Sequence, residues 1–185
     1  MIRRVEEPGF SPSWLYNIGA QAGFHLWRSD PSSAVHCPGT KSPPPCYEGD
    51  FGLALSGEAG VRISDHFGLS LLGAGTWTLM ASSDATLFAP AVSYNALLAS
   101  IGTGLRVDHL GALPGHFMVG GAATFGAIVS GSDAVAAINL SGLSALLSYA
   151  LPLNGALQAD GRVTWHVLNK DFSLLVLSVG ISFGN

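Results

Sequence analysis

Charged side chains make up only 11% of this sequence, and several of them recur inside runs of alternating apolar residues. Successive side chains of a β-strand point to opposite faces, so such charges share the face opposite to the apolar side chains. An isolated buried ion costs several kcal/mol, so charges on an enclosed face must be paired. The alternation therefore predicts an interior ion-pair network, which either closes the interior and fixes strand register or gates a narrow path for ions or water. Its members are Glu58, Arg62, Arg106, Asp160 and Arg162.

Uncharged polar residues lie on the same face and are expected to hydrogen-bond around the network. We assign Asn17, Gln21 and Thr164 to this shell. His25 and His166 also share the face, near one end of the first and seventh predicted strands. Because histidine titrates near neutral pH and binds metals, the two are interpreted as ordinary interior histidines, a pH-sensitive pair or a chance metal site. The pattern predicts no catalytic residue, no dedicated metal site and no cofactor.

Length and composition place these residues in a membrane protein without spanning helices. The chain has 185 residues, enough for one domain, and combines 48% hydrophobic residues with a mean hydropathy of +0.40. It contains no apolar run of the length a spanning helix requires. Since only helices and closed barrels satisfy every backbone polar group in lipid, the chain must cross as strands. The net charge of −4, without Lys/Arg clusters, argues against a nucleic-acid partner.

Alternation with a period of two predicts eight strands. They lie near residues 14–28, 51–64, 67–79, 97–107, 117–129, 135–151, 157–167 and 175–183. Near Val92 and Tyr94 the alternation is out of phase, which predicts a β-bulge at the start of strand four. The connections fall into two sets, one at 64–66, 109–115 and 152–155 and the other at 29–50, 81–91, 130–134 and 169–171. The sequence therefore predicts an all-β, eight-stranded antiparallel up-and-down barrel, with both termini at one end and the largest loop at the other.

The outward face of the predicted barrel suits lipid rather than water. None of the residues assigned to it is charged, and a Lys or Arg facing lipid at the midplane costs about 2–4 kcal/mol. Its aromatic rings concentrate near the strand ends and form two belts, as expected at the two membrane interfaces. The belt at the end that holds the termini comprises Trp14, Tyr16, Phe67, Phe117, Tyr149 and Phe183. The belt at the other end comprises Phe24, Phe51, Trp77, Phe125 and Trp165.

From Trp14 to Phe183 this pattern resembles the small eight-stranded outer-membrane β-barrels of the OmpA/OmpX transmembrane-domain type. Residues 175–183 look like the C-terminal signature strand of that class, which the barrel-assembly machinery reads. The family usually ends on the aromatic residue, whereas here Gly184 and Asn185 follow Phe183. The resemblance implies a multi-pass protein of the Gram-negative outer membrane, surrounded by outer-membrane lipids and lipopolysaccharide.

Two segments outside the strands carry further expectations. Cys37 and Cys46 lie close together in a segment rich in Pro, Ser and Gly, which favours a loop disulfide over two free thiols or part of a metal site. Residues 1–13 are expected to be an N-terminal periplasmic extension, and residues 14–185 the barrel with its external loop 29–50. The N-terminus lacks the apolar run of a signal peptide, so we expect a mature form or a domain of a longer precursor.

Several functions fit this architecture. The leading hypothesis is a non-enzymatic barrel that serves membrane structure, surface interaction through loop 29–50, or anchoring of an assembly through a protein partner at its external loops or periplasmic face. The alternatives are an outer-membrane lipid A-modifying enzyme and a narrow channel. Such an enzyme needs a nucleophile or base on the lipid-facing wall, where the assigned residues include no His, Asp or Glu. A soluble lipocalin-like carrier is disfavoured by the polar, charged interior predicted here.

Overall fold

The computed structural model describes residues 13–29, 46–81, 93–108, 110, 112–130, 138–169 and 172–185. They form eight strands: β1 (Trp14–Ser29), β2 (Cys46–Arg62), β3 (Phe67–Ala81), β4 (Ser93–Asp108), β5 (His116–Ser130), β6 (Ile138–Asn154), β7 (Leu157–Leu168) and β8 (Phe172–Gly184). Within these ranges, no helix has the length and apolar character needed to cross a membrane.

The strands form a closed barrel in which each pairs antiparallel with the next and β8 pairs with β1. The predicted all-β, eight-stranded antiparallel fold is therefore confirmed. At the closing seam, Ile18 lies opposite Phe183, and on the other side of β1 Asn17 lies opposite Glu58. Closure pairs the edge strands with each other, so no row of backbone donors and acceptors is left exposed.

The strands extend beyond several predicted bounds. β1 continues to Ser29 and β2 begins at Cys46, so the connection between them is residues 30–45, which lie outside the described part of the chain. The connection between β4 and β5 ends in a tight turn at a glycine. Gly115, before β5, has a φ of 97°, and a Cβ there would lie 2.1 Å from the carbonyl oxygen of Ala150. Only glycine tolerates both conditions.

The predicted β-bulge at the start of β4 is wrong for the described residues. Pairing from Ser93 to Asp108 continues without a register shift, with Tyr94 opposite Met80 on one side and Ser130 on the other. Among the described pairings, a register shift occurs instead in β6, between Pro152 and Asn154. The alternation in sequence is obscured in β4 because the inward residues at that end are themselves apolar.

The barrel has an exterior that is apolar along most of its described wall. Large apolar side chains point outward, with exposed fractions of 72% for Val179, 71% for Leu143 and 67% for Ile101. Arg28, which the prediction left unassigned, adds an exposed charge to this face, close to the end of β1. Most of the buried side chains between these positions are polar or charged, which inverts the usual arrangement of a water-soluble protein.

The apolar core lies inside the barrel at the end opposite the termini. We call this cluster the apolar plug. Its members are Trp27, Ala96, Leu98, Ile128, Leu140, Leu168, Phe172, Leu174 and Val176, each at most 5% exposed. The plug closes one half of an interior whose other half is polar.

Candidate functional site

Between the termini and the apolar plug, the interior carries the polar side chains that could bind, conduct or catalyse. They form two groups. The ionic layer lies toward the termini and contains Glu58, Ser70, Arg62, Arg106, Asp108, Asp160, Arg162 and Gln21. The hydroxyl–histidine layer lies next to the plug and contains His25, Thr78, Ser100, Thr124, Ser144 and His166.

Asp108 is the acceptor that joins two of the predicted charges. Its carboxylate lies 2.9 Å from Arg106 Nε and 3.3 Å from Arg62 Nη2, and both Arg106 and Asp108 are almost fully buried. Arg106 also donates to the backbone oxygen of Asn185, at 2.6 Å, which ties β4 to the end of β8. Asp108 was not among the predicted interior residues, because the predicted strand four ended at Val107. Continuing the alternation by one residue would have placed Asp108 on the face of Arg106.

A second charged group lies on β7 and β1. Arg162 Nη2 is 3.2 Å from Asp160 Oδ2, and the amide of Gln21 donates to the same oxygen at 3.2 Å. Gln21 Nε2 also lies 2.9 Å from Ser56 Oγ on β2. The predicted polar residue Gln21 thus connects three strands around a buried carboxylate.

Glu58 is held differently from the other four predicted charges. It is 9% exposed and accepts a hydrogen bond of 2.6 Å from Ser70 on β3. The ion pairs found among the described residues join Asp108 to two arginines and Asp160 to one. The five predicted residues therefore occupy one end of the interior but belong to three separately bonded groups.

The two predicted histidines are each held by a hydroxyl. His25 Nδ1 bonds to Thr78 Oγ1, and His166 Nδ1 lies 2.6 Å from Ser144 Oγ. The ring of His25 occupies the space where Gly52 has no side chain, since a Cβ there would lie 2.3 Å from its Cε1 atom. The two imidazoles bond to hydroxyls on different strands, and neither Nε2 atom has a partner among the described residues.

The contact of His166 continues as a chain of hydroxyls across three more strands. Ser144 bonds to Thr124, and Thr124 lies 2.8 Å from Ser100. A serine within hydrogen-bond reach of histidine is also the arrangement of an activated nucleophile. Here both Ser144 and His166 are buried inside the barrel, at 7% and 2% exposure, and the serine is shared with Thr124. The chain fastens β4 to β7 and offers no nucleophile on the outer wall.

A small chamber inside the barrel is lined by residues of both polar layers. Its volume is about 50 Å³, and Asn17, Thr164 and Met118 are among its lining residues. A cavity needs at least about 10–15 Å³ to hold one water molecule, so the chamber has room for water. Among the described residues, no group of three or more His, Cys, Asp and Glu side chains is placed to hold a metal ion.

The apolar plug ends the chamber on the side away from the termini. The rings of Trp27 and Phe172 pack with centroids 4.9 Å apart, and Leu168 and Leu174 are fully buried beside them. Neither Trp27 nor Phe172 was predicted to lie inside the barrel. The alternation of strand one does place Trp27 inside, because it follows His25 by two residues and therefore shares its inward face.

The aromatic residues predicted for the two belts all lie on the outward face. Phe24 and Phe51 meet edge to face at one end, with centroids 6.4 Å apart. Phe117 and Tyr149 pack at 4.6 Å near the other, where the Tyr149 hydroxyl donates to Pro114 O. The remaining belt residues are 38–78% exposed: Trp14, Tyr16, Phe67, Trp77, Phe125, Trp165 and Phe183.

The predicted disulfide lies outside the described residues. Cys37 belongs to the connection 30–45, and Cys46 is described only by its backbone position opposite Ser29.

Solved structures of small outer-membrane barrels share this fold. The Ail protein of Yersinia pestis, in complex with the heparin analogue sucrose octasulfate, aligns over 91% of this chain and 99% of its own, with a TM-score of 0.55 and 11% identity. Neisserial surface protein A aligns over 94% of this chain and 99% of its own, with a TM-score of 0.56 and 16% identity. No protein-family model and no curated protein sequence matches the chain. The predicted resemblance to small eight-stranded outer-membrane barrels is confirmed at the level of the fold.

Proposed function

We propose that this chain is a non-enzymatic, multi-pass β-barrel of the bacterial outer membrane, which holds its external connections at the cell surface. The observation that carries the proposal is a closed barrel with an apolar exposed wall around a polar interior that is sealed by the apolar plug. Such a molecule is suited to span a membrane without conducting.

The apolar wall supports a lipid environment. Side chains such as Val179 and Ile101 expose most of their surface, and burying a side chain of this size is worth about 1.5–3 kcal/mol. Arg28 lies close to the end of its strand, where a charge costs far less than the 2–4 kcal/mol expected at the midplane. The aromatic residues on the wall supply the two interfacial belts.

The connections support one orientation. The turns at 63–66 and 155–156 are short, whereas 30–45 and 82–92 are long, which is the usual difference between periplasmic and external connections. We therefore place both ends of the barrel at the periplasmic face. There, Ser13 accepts a backbone hydrogen bond from Arg62, so an extension 1–13 would emerge into the periplasm.

The interior supports neither a channel nor an enzyme. A pore would have to pass the Trp27–Phe172 contact, and the plug on either side of it is apolar and buried. An enzyme that modifies membrane lipid would need its reactive groups on the wall, and the described outward positions of the strands carry no His, Asp or Glu.

The external connections favour a protein partner over a polyanion. The Ail structure contains a sulfated sugar, which basic side chains would recognise. In this chain, connections 30–45, 82–92, 131–137 and 169–171 together contain two lysines and no arginine, against four aspartates. Connection 30–45 contains five prolines, which lower the entropy cost of ordering it against a partner. A Cys37–Cys46 disulfide would brace the same connection at the start of β2.

The proposal is tested by fractionation of a Gram-negative host that produces the chain with a secretion signal. We expect the protein in the outer-membrane fraction, extracted only by detergent, with a shift in gel migration on heating. Recovery of the folded chain in the soluble periplasmic fraction would contradict the proposal.

A further inference from the structure

The outer wall of the barrel is not uniformly convex. A groove of about 410 Å³ crosses the outward face of β1–β4, and we call it the wall groove. Gly75 forms its floor, and Leu55, Trp77 and Leu97 rise beside it. Its surface is almost wholly apolar. These three side chains are 38–68% exposed, so the groove opens away from the barrel interior.

The floor of the wall groove is created by small residues in adjacent strands. Gly75 pairs with Leu55 on one side and with Ala99 on the other, and Leu55 in turn pairs with Ala20. A Cβ added at Gly75 would meet no atom within 4 Å. The depression therefore results from missing side-chain volume and not from crowding of the backbone.

Trp77 bounds the groove on the side nearer the aromatic belt at the end of the barrel opposite the termini. Its indole N–H donates to Asn95 Oδ1 at 3.1 Å, which satisfies a donor that would otherwise face lipid. The hydrogen bond also holds the ring upright beside the floor. From Trp77 the groove runs toward the midpoint of β3, so it occupies the external half of the wall.

We propose that the wall groove binds an acyl chain of lipid A, the membrane-embedded part of lipopolysaccharide. The inference rests on the proposed outer-membrane location and orientation, which put this half of the wall in the external leaflet. The groove is continuous with the lipid-facing wall, and its apolar lining offers no polar anchor for another ligand. A flexible methylene chain fills such a depression, whereas an adjacent convex barrel would leave much of it empty.

The test compares variants that fill the groove with matched variants elsewhere on the wall. Gly75→Leu and Ala20→Leu add volume inside the groove. Gly161→Leu and Ala145→Leu add the same volume to outward positions of β7 and β6, and the space around Gly161 is equally open. Each barrel is purified from host outer membranes in mild detergent, and the retained lipopolysaccharide and phospholipid are counted by native mass spectrometry.

We expect one lipopolysaccharide on the unchanged barrel and on both matched variants. The two groove variants should retain about tenfold less, the effect of losing contact with about two methylene groups. Equal retention by all five proteins, or phospholipid as the bound species, would contradict the inference. So would a dimer of the unchanged barrel that Gly75→Leu converts to a monomer, because a second copy would then be the occupant. Absence of every variant from the outer membrane would instead overturn the proposed function.

Discussion

Trp27 and Phe172 pack against each other inside the barrel, with ring centroids 4.9 Å apart and ring planes tilted by 41°, and not on its aromatic wall. The contact joins β1 to β8, the two strands whose pairing closes the barrel. It therefore has two roles, since it fastens the seam and blocks the interior at the external end. Both roles can be separated experimentally from those of the outward rings.

Trp27→Ala should destabilise the barrel and open its interior. Removing a fully buried large aromatic side chain costs about 3–5 kcal/mol, which would be measured by urea unfolding in lipid vesicles. In planar bilayers we expect no conductance steps from the unchanged protein and small steps from the variant. Phe125→Ala removes a ring from the outward face and should produce no conductance steps. Steps of equal size from the unchanged protein would show that the plug does not seal the interior.

Asp108→Asn should be among the most destabilising single changes in the ionic layer. The carboxylate is the shared partner of Arg62 and Arg106, so its loss leaves two guanidinium groups without their ion pair, at a cost of about 3–5 kcal/mol. The free energy of unfolding in vesicles measures this directly. Asp65→Asn, in the exposed turn between β2 and β3, provides the control and should change stability by less than about 0.5 kcal/mol. Equal effects of the two changes would argue against a structural ion pair.

Gly52→Ala should disturb His25 although it adds a single methyl group. The new Cβ would lie 2.3 Å from the imidazole Cε1 atom and 2.6 Å from the backbone oxygen of Trp77 on β3. The ring must therefore move, which disturbs its bond to Thr78 on the same strand. We expect a loss of about 1–3 kcal/mol and a changed imidazole nitrogen NMR signal. Gly73→Ala adds the same group where no atom lies within 4 Å and should leave both measurements unchanged. An unaltered His25 signal in the first variant would place the ring elsewhere.

Ser144→Ala separates a structural from a catalytic role of the hydroxyl–histidine layer. The change removes the partner of His166 Nδ1 and one of the two hydroxyl partners of Thr124, which keeps its bond to Ser100. A buried polar group left unsatisfied costs about 1–3 kcal/mol. Lipid A isolated from cells that produce the unchanged chain should have the same mass spectrum as lipid A from cells without it. A mass change that disappears in Ser144→Ala would assign the serine to catalysis and overturn the non-enzymatic proposal.

The fold was predictable because the barrel repeats one simple rule. Inside and outside alternate along every strand, so residues such as Gln21 and Asp160 stand out against their apolar neighbours. The rule fails where the inward side chains are apolar too. At the external end of β4, the inward side chains of Ala96 and Leu98 are at most 4% exposed, and their apolar character hides the phase of the strand. That loss of contrast produced the mistaken β-bulge and concealed the apolar plug.

The bonding within the interior was less predictable than its location. Alternation shows which face a residue occupies but not which strand its side chain reaches. Arg106 thus pairs with Asp108 two residues away on its own strand, and Glu58 turns to Ser70. The wall groove also escaped prediction, because it depends on Gly75 and Leu55 being neighbours across strands, and that register is set by the closed barrel.

The most direct test of the account asks which side of the wall meets lipid. Methyl NMR signals of the barrel in lipid nanodiscs would be recorded with nitroxide groups attached to the lipid chains. We expect strong broadening of Leu143, which is 71% exposed, and little broadening of Leu174, which is fully buried. Broadening of Leu143 by a water-soluble paramagnetic chelate, with no effect of the lipid-attached nitroxide, would contradict the account.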